Sequence, residues 1–265
     1  KTPYGQPADG IEKVMLLAMW ATHLKSHPPT GHPVKQKMIF AGLGKPTYPI
    51  HQHTVKAYQH YWERMQVQAE QWFDDPAAQM HAAIGYGDPY GDLQAKHTMA
   101  KAMSNWYGSE IRAQHVLFTV GGIGGLRLIF DVLNALNPSK QYRVITPFPH
   151  YSAYSNNPQH LLHPIDVMAE KGYKLTAKAL EQSIIKAYDL ALNDKIEPKA
   201  VLLCNPSNPL GTVVDEKELL QIVQVLRQYP QLYFILDEAY AEMNFVPVPS
   251  FIQCAPDLKP RTIIL

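Results

Sequence analysis

Ala200-Val201-Leu202-Leu203-Cys204-Asn205-Pro206-Ser207-Asn208-Pro209-Leu210-Gly211 is an apolar run that breaks into two Asn-Pro pairs and a glycine. Its first five residues are short, apolar and unalternating, the pattern of a strand buried on both faces. Each proline fixes its own φ and restricts the residue before it. The loop is therefore stiff, and it aims the Asn208 amide away from a strand end. Leu232 to Leu236 gives a second strand of the same kind, ending in Asp237-Glu238-Ala239-Tyr240. Together the two stretches put an amide, a carboxylate and a phenol at the carboxyl ends of strands, where open α/β sheets hold ligands.

Working outward, the chain alternates between strands and helices. Val116 to Val120 reads as a strand, followed by a glycine-rich turn, Gly121 to Gly125. Leu126, Ile129, Phe130 and Leu133 then fall on one face of a helix. Tyr142 to Thr146 is a strand ending at Pro147-Phe148-Pro149. A helix from about Ala177 to Leu192 has Thr176 as its N-cap. Asp215 opens another, with Glu218 three residues on as an Asp-capped form of the capping box. Leu219, Ile222, Val223 and Leu226 make its buried face, and Thr262 to Leu265 is one more strand. Upstream, Trp62 to Trp72 and Gln94 to Tyr107 read as helices, with Leu93, Ala100, Met103 and Trp106 as a core-facing stripe. Such alternation predicts an α/β fold with a mainly parallel sheet and helices on both faces.

The chain has 265 residues, 46% of them hydrophobic, enough for one large domain with a smaller companion. Residues 1–50, with clustered prolines at Pro28, Pro29, Pro33, Pro46 and Pro49, read as an N-terminal arm and part of a small domain; residues 51–265 read as the main body. A net charge of +1 without charged blocks gives no footing for nucleic acid or an anionic membrane. Two cysteines, Cys204 and Cys254, make no disulfide framework and suggest reduced thiols in a cytoplasmic protein. No apolar run is long enough to span a bilayer, and Lys1 to Gly10 lacks the apolar core of a secretory signal. The first residue is not methionine, so the true start is expected to be trimmed or left out. Twelve histidines, among them His23, His27, His32, His51 and His53, show no helical zinc-pair spacing and read as loop histidines, with no metal site.

Four loops, each after a strand, could carry chemistry. The amides of Gly122 and Ile123, at a strand-to-helix junction, suit an anion such as phosphate; the plain alternative is a tight turn. Tyr151 could stack on a planar ring or simply pack beneath its loop. Asn208 could address a ligand oxygen. Asp237 needs a partner if buried, and a protonated ring nitrogen would serve; otherwise it is an N-cap with Tyr240 packed beneath. Tyr240 could donate to a ring hydroxyl. The set suits a hydroxylated nitrogen heterocycle, and pyridoxal phosphate is one.

In this order, these residues resemble the class I/II aminotransferases of the fold type I PLP-dependent family, over roughly Phe40 to Leu265. The resemblance implies the large domain of a PLP-dependent transferase, built on a seven-stranded-type sheet, with sheet and small domain incomplete at the C-terminus. It implies that Gly44 and Leu43, in Leu43-Gly44-Lys45-Pro46, lie against the substrate carboxylate, and that Tyr86 reaches the cofactor phosphate of the neighbouring subunit of a homodimer. Gly122 and Ile123 take the phosphate-amide position, Tyr151 the ring-stacking position, Asn208 and Tyr240 the ring-hydroxyl positions, and Asp237 the pyridine-nitrogen position. Ile123 departs from relatives that offer a polar side chain there. Tyrosine after Asp-Glu-Ala is similar to the aminotransferase branch. The implied activity moves an amino group between an L-amino acid and a 2-oxo acid through a lysine imine, within amino acid metabolism. That lysine is expected past Leu265, so no catalytic residue is expected within the chain, which would be inactive alone; Lys45 and Lys259 read as surface lysines. A lyase, decarboxylase or oxidase on the same scaffold, or a non-catalytic cofactor-binding or regulatory domain, is the alternative.

Overall fold

The computed structural model describes residues 13–27, 48–71, 87–136, 141–155 and 160–265, which fall into two compact units, Lys1–Asp92 and Leu93–Leu265. Leu43, Gly44 and Tyr86 lie outside the described residues. The first unit contains helices α1 (Lys13–Ser26) and α2 (Gln52–Gln71). None of the residues of α2 is buried. His23 and His53, expected in loops, lie on these helices, and the His23 ring stacks on that of His27 with centroids 4.6 Å apart. The expectation failed because His23 and His27 are four residues apart, the spacing that brings side chains together on a helix.

The second unit runs through α3 (Leu93–Tyr107), α4 (Gly121–Leu136), β1 (Tyr142–Phe148), β2 (His160–Asp166), α5 (Ala177–Asp194), β3 (Pro198–Cys204), α6 (Glu216–Arg227), β4 (Tyr233–Asp237), α7 (Phe251–Cys254) and β5 (Thr262–Ile264). The five strands form one sheet in the order β2-β1-β3-β4-β5, every pairing parallel. Successive side chains alternate between its faces. Ile145, Val201, Leu203, Phe234 and Leu236 join a core with α5, α6 and α7, while Tyr142, Val144, Ala200, Leu202 and Ile235 join a second core with Leu126, Ile129, Phe130 and Leu133 of α4. The predicted faces of α4 and α6 are therefore the buried ones. Full burial of one such side chain contributes about 1.5–3 kcal/mol, which fixes which way each strand end points.

Several local expectations are corrected. Val116 to Val120 makes no ladder with any described strand, and Val120 is 95% exposed. A strand needs a neighbour for its backbone groups, and apolar composition alone does not supply one. The glycines after it are the first turn of α4, not a separate turn; Gly121, at φ +66°, admits the chain to the helix. Asp215 does cap α6, accepting from the Glu218 amide at 3.0 Å, but the Glu218 carboxylate does not return to Asp215. It accepts from the Ala177 amide at 2.6 Å instead, tying the start of α6 to the start of α5, where a first-turn N–H lacks a helical acceptor. In α3, Ala100 is buried and Met103 packs on the core, but Leu93 and Trp106 face outward. Strand β2 is unforeseen, because His160, His163 and Pro164 interrupt its apolar run. Lys259 is more than a surface lysine: its ammonium donates to the Ser109 hydroxyl and the Glu110 carbonyl.

At the opposite end from the carboxyl strand ends, Arg143 is buried near the start of β1. Its guanidinium donates to the Asp194 carboxylate and the Ile196 carbonyl, holding the Asp194 carboxyl down at about 2.

Candidate functional site

Strands β3 and β4 end in register, with Cys204 opposite Asp237, and the Asn205 amide donates to the Asp237 carbonyl at 3.1 Å. That pairing carries the two decisive loops out of the sheet side by side. The first loop is pinned from within: the Asn205 side-chain oxygen accepts from the Val214 amide, Ser207 donates to Thr212, and Gly211 donates to Ser207. The Asn205-Pro206 and Asn208-Pro209 bonds are both cis. The outcome is that Asn208 Nδ2 donates to the Tyr240 hydroxyl oxygen at 3.2 Å, although the two residues are 32 positions apart. With that oxygen accepting, the Tyr240 proton is free to be donated outward.

Asp237 is half-buried and has a donor on each carboxylate oxygen. Oδ1 accepts from the Ala239 amide at 3.2 Å, and Oδ2 accepts from the Tyr154 hydroxyl at 2.6 Å. Tyr154, in the one-turn helix after β1, is 1% exposed. Its phenol is pushed far above the ordinary range by burial first, then by the Cys204 and Asp237 charges, so it stays neutral and donates. Sequence reasoning missed Tyr154; a second tyrosine three residues after Tyr151 was the available signal. Tyr151 itself is half-buried and meets Tyr154 edge-on, with centroids 5.7 Å apart, while the His150 ring stacks on the other tyrosine at 5.9 Å. Tyr151 therefore belongs to the same cluster as Asp237.

Gly122 and Ile123 occupy the exposed first turn of α4. Amides there have no intrahelical acceptor, and the helix dipole favours an anion beside them. A Cβ on Gly125 would come within 2.6 Å of the Leu265 side chain, and the Leu265 carbonyl accepts from the Glu238 amide at 3.1 Å. The start of α4 thus packs directly beside the end of β4.

Two neighbours are not equipped for nucleophilic work. Burial, then the Asp237 charge, pushes the Cys204 thiol up to about 11, and its Sγ donates to the Pro206 carbonyl at 3.1 Å. Glu238 accepts from the Tyr107 hydroxyl at 2.8 Å, and burial raises its carboxyl above the ordinary range.

The donor set fits pyridoxal 5'-phosphate. Asp237 offers a fixed carboxylate for a ring N–H, Asn208 and Tyr240 offer a paired amide and phenol for a ring oxygen, and the first turn of α4 offers free amides for a phosphate.

The family profile described as "Aminotransferase class I and II" matches residues 43–264. A 1-aminocyclopropane-1-carboxylate synthase from Vigna radiata var. radiata is 29% identical over 189 residues, covering 69% of this chain and 49% of that protein. The aspartate aminotransferase of Rhizobium meliloti has the same fold, with a TM-score of 0.64 at 19% identity over 97% of this chain and 57% of its own. Cystalysin from Treponema denticola, solved with a pyridoxal 5'-phosphate cofactor, gives a TM-score of 0.51 at 20% identity, over 76% of this chain and 48% of its own. The chain spans about half the length of such relatives or less. Pyridoxal 5'-phosphate is the cofactor that the family and the donor set have in common. With nearly all of the second unit and part of the first inside that profile, the chain belongs to the class I and II aminotransferases.

Proposed function

We propose that the protein carrying this chain is a PLP-dependent aminotransferase that moves an amino group between an L-amino acid and a 2-oxo acid. The observation that carries the reading is the convergence of Asp237 with the Asn208–Tyr240 pair beside the N-terminus of α4. When bound, pyridoxal 5'-phosphate supplies an electron sink for the α-carbon of an amino acid. The residues of this chain make that sink effective. Asp237 would hold a proton on the ring nitrogen, Asn208 and Tyr240 would donate to the ring oxygen, Tyr151 would cover the ring, and the Gly122 and Ile123 amides would bind the phosphate. None of these groups is placed to move the substrate proton; that task is proposed for the lysine expected past Leu265. Gly44 and Leu43 against the substrate, a homodimer with Tyr86 reaching across, and a cytoplasmic location complete the proposal. Among the described residues no helix is long and apolar enough to cross a membrane.

The likeness to a 1-aminocyclopropane-1-carboxylate synthase favours a second reading, a lyase on the same scaffold. The intact protein, loaded with cofactor, separates the two when offered a panel of amino acids with and without 2-oxo acids. Amino-group exchange that depends on the 2-oxo acid supports the aminotransferase. Product release from an amino acid alone supports the lyase, and neither activity across a broad panel overturns both.

A further inference from the structure

We infer that Tyr154 is a positioning residue for Asp237: its buried hydroxyl fixes the carboxylate that would face the cofactor's ring nitrogen. The inference rests on the cofactor reading above and deepens it. Three features of the geometry carry it. The hydrogen bond from the Tyr154 hydroxyl to Asp237 Oδ2 is short, 2.6 Å, as donation to a charged oxygen tends to be. The donor cannot swing away, since Tyr154 is 1% exposed, stacks on His150, meets Tyr151 edge-on, and has its own carbonyl oxygen 2.7 Å from His160 Nε2. The other carboxylate oxygen is held by the Ala239 amide, so both oxygens have a fixed donor and the carboxylate plane is set.

Chemically, this is the arrangement a proton-holding carboxylate needs. A half-buried carboxylate with no donor is free to turn toward water. One with a fixed donor on each oxygen keeps its plane and still has an acceptor lone pair for a cationic N–H. Burial and the neighbouring charges keep that phenol protonated, so it remains a donor to Asp237 without competing for the position in front of it. The Cys204 thiol, adjacent to the same hydroxyl, donates to the Pro206 carbonyl and leaves the phenol proton to Asp237.

Two measurements on the full chain test this. The first needs no cofactor. The buried hydroxyl proton of Tyr154 should give a slowly exchanging, far-downfield proton resonance, lost in Tyr154→Phe and moved upfield in Asp237→Asn. The second compares affinity for pyridoxamine 5'-phosphate with that for its analogue carrying carbon in place of the ring nitrogen. The wild-type chain should prefer the nitrogen ligand, Tyr154→Phe should cut that preference at least fivefold, and in an Asp237→Asn background Tyr154→Phe should change it no further. Equal loss of affinity for both ligands, or an undiminished preference, would show that Tyr154 only packs and would overturn the inference. So would a persisting effect in Asp237→Asn. Binding of neither ligand by the wild-type chain, with the resonance present, would sink the cofactor reading and leave the hydrogen bond standing. If Tyr154→Phe does not fold, Asp237→Asn decides: an unmoved resonance and an unchanged preference would overturn the inference.

Discussion

Glu238 and Asp237 are neighbours in sequence but face opposite sides of the strand end, and they carry opposite obligations. Asp237 is held by Tyr154 and the Ala239 amide, whereas Glu238 faces Tyr107. Burial raises the Glu238 carboxyl above its ordinary 4.5; the Tyr107 hydrogen bond pulls it down and the Asp237 charge adds to the rise. A carboxyl raised on folding binds more protons in the folded state than in the unfolded one, so stability falls as pH rises. The fall should begin near 4.5 and end once the raised Glu238 value is passed. Asp194, held down at about 2, acts in a separate and lower window: its contribution is present above its ordinary 3.8 and is lost as pH falls toward 2. Melting temperatures of wild type and Glu238→Gln across weakly acidic pH should therefore diverge, with the variant flatter above pH 4.5. Parallel curves would show that Glu238 does not set the slope.

At the scale of elements, α4 shows what a glycine run is for. Gly121 has φ +66°, and a Cβ there would meet nothing within 4 Å, so any cost of substitution is backbone strain alone. Gly121→Ala should lower stability by about 1–2 kcal/mol, and Gly121→Asn should lower it less, because asparagine tolerates the left-handed region better. Urea unfolding distinguishes the two; equal losses would mean that the glycine answers to packing instead. Elements elsewhere in the chain mark where sequence reading succeeds and fails. Asn208, Asp237 and Tyr240 were legible because each follows directly on an apolar strand, so local pattern alone places them at a carboxyl end. Tyr154 was not, because its bond to Asp237 spans 83 residues and exists only once β1, β3 and β4 lie side by side. The Glu218 contact with Ala177 was missed for a like reason: a capping box is a local pattern, and the true partner lies 41 residues away on another helix. Val116 to Val120 failed in the other direction, with a strand's composition but no described neighbour to bond with.

At the scale of the whole molecule, the order β2-β1-β3-β4-β5 means that the chain leaves β1 to one side and returns on the other to form β3. A crevice opens outside the carboxyl ends of the strands where the order reverses, and the loops that bear Tyr151 and Asn208 leave the sheet there. All the described core residues lie in the second unit, from Ala100 to Leu258, and so do Gly122, Ile123, Tyr151, Asn208, Asp237 and Tyr240. The core and the proposed cofactor contacts other than Tyr86 thus share one unit, so folding of that unit should be enough to form most of the pocket. Residues 93–265 produced alone should unfold in urea in a single cooperative transition. Pyridoxamine 5'-phosphate should raise the midpoint, because a ligand that binds only the folded state adds about 2.7 kcal/mol at a hundredfold excess over its Kd. Affinity should be lower than in the intact protein, since Tyr86 is proposed to reach the cofactor phosphate from a neighbouring subunit. A broad, non-cooperative transition would show that the two cores need more of the protein to close. A cooperative transition unmoved by the ligand would place essential binding groups outside residues 93–265, and Asp237→Asn should reduce whatever shift the ligand produces.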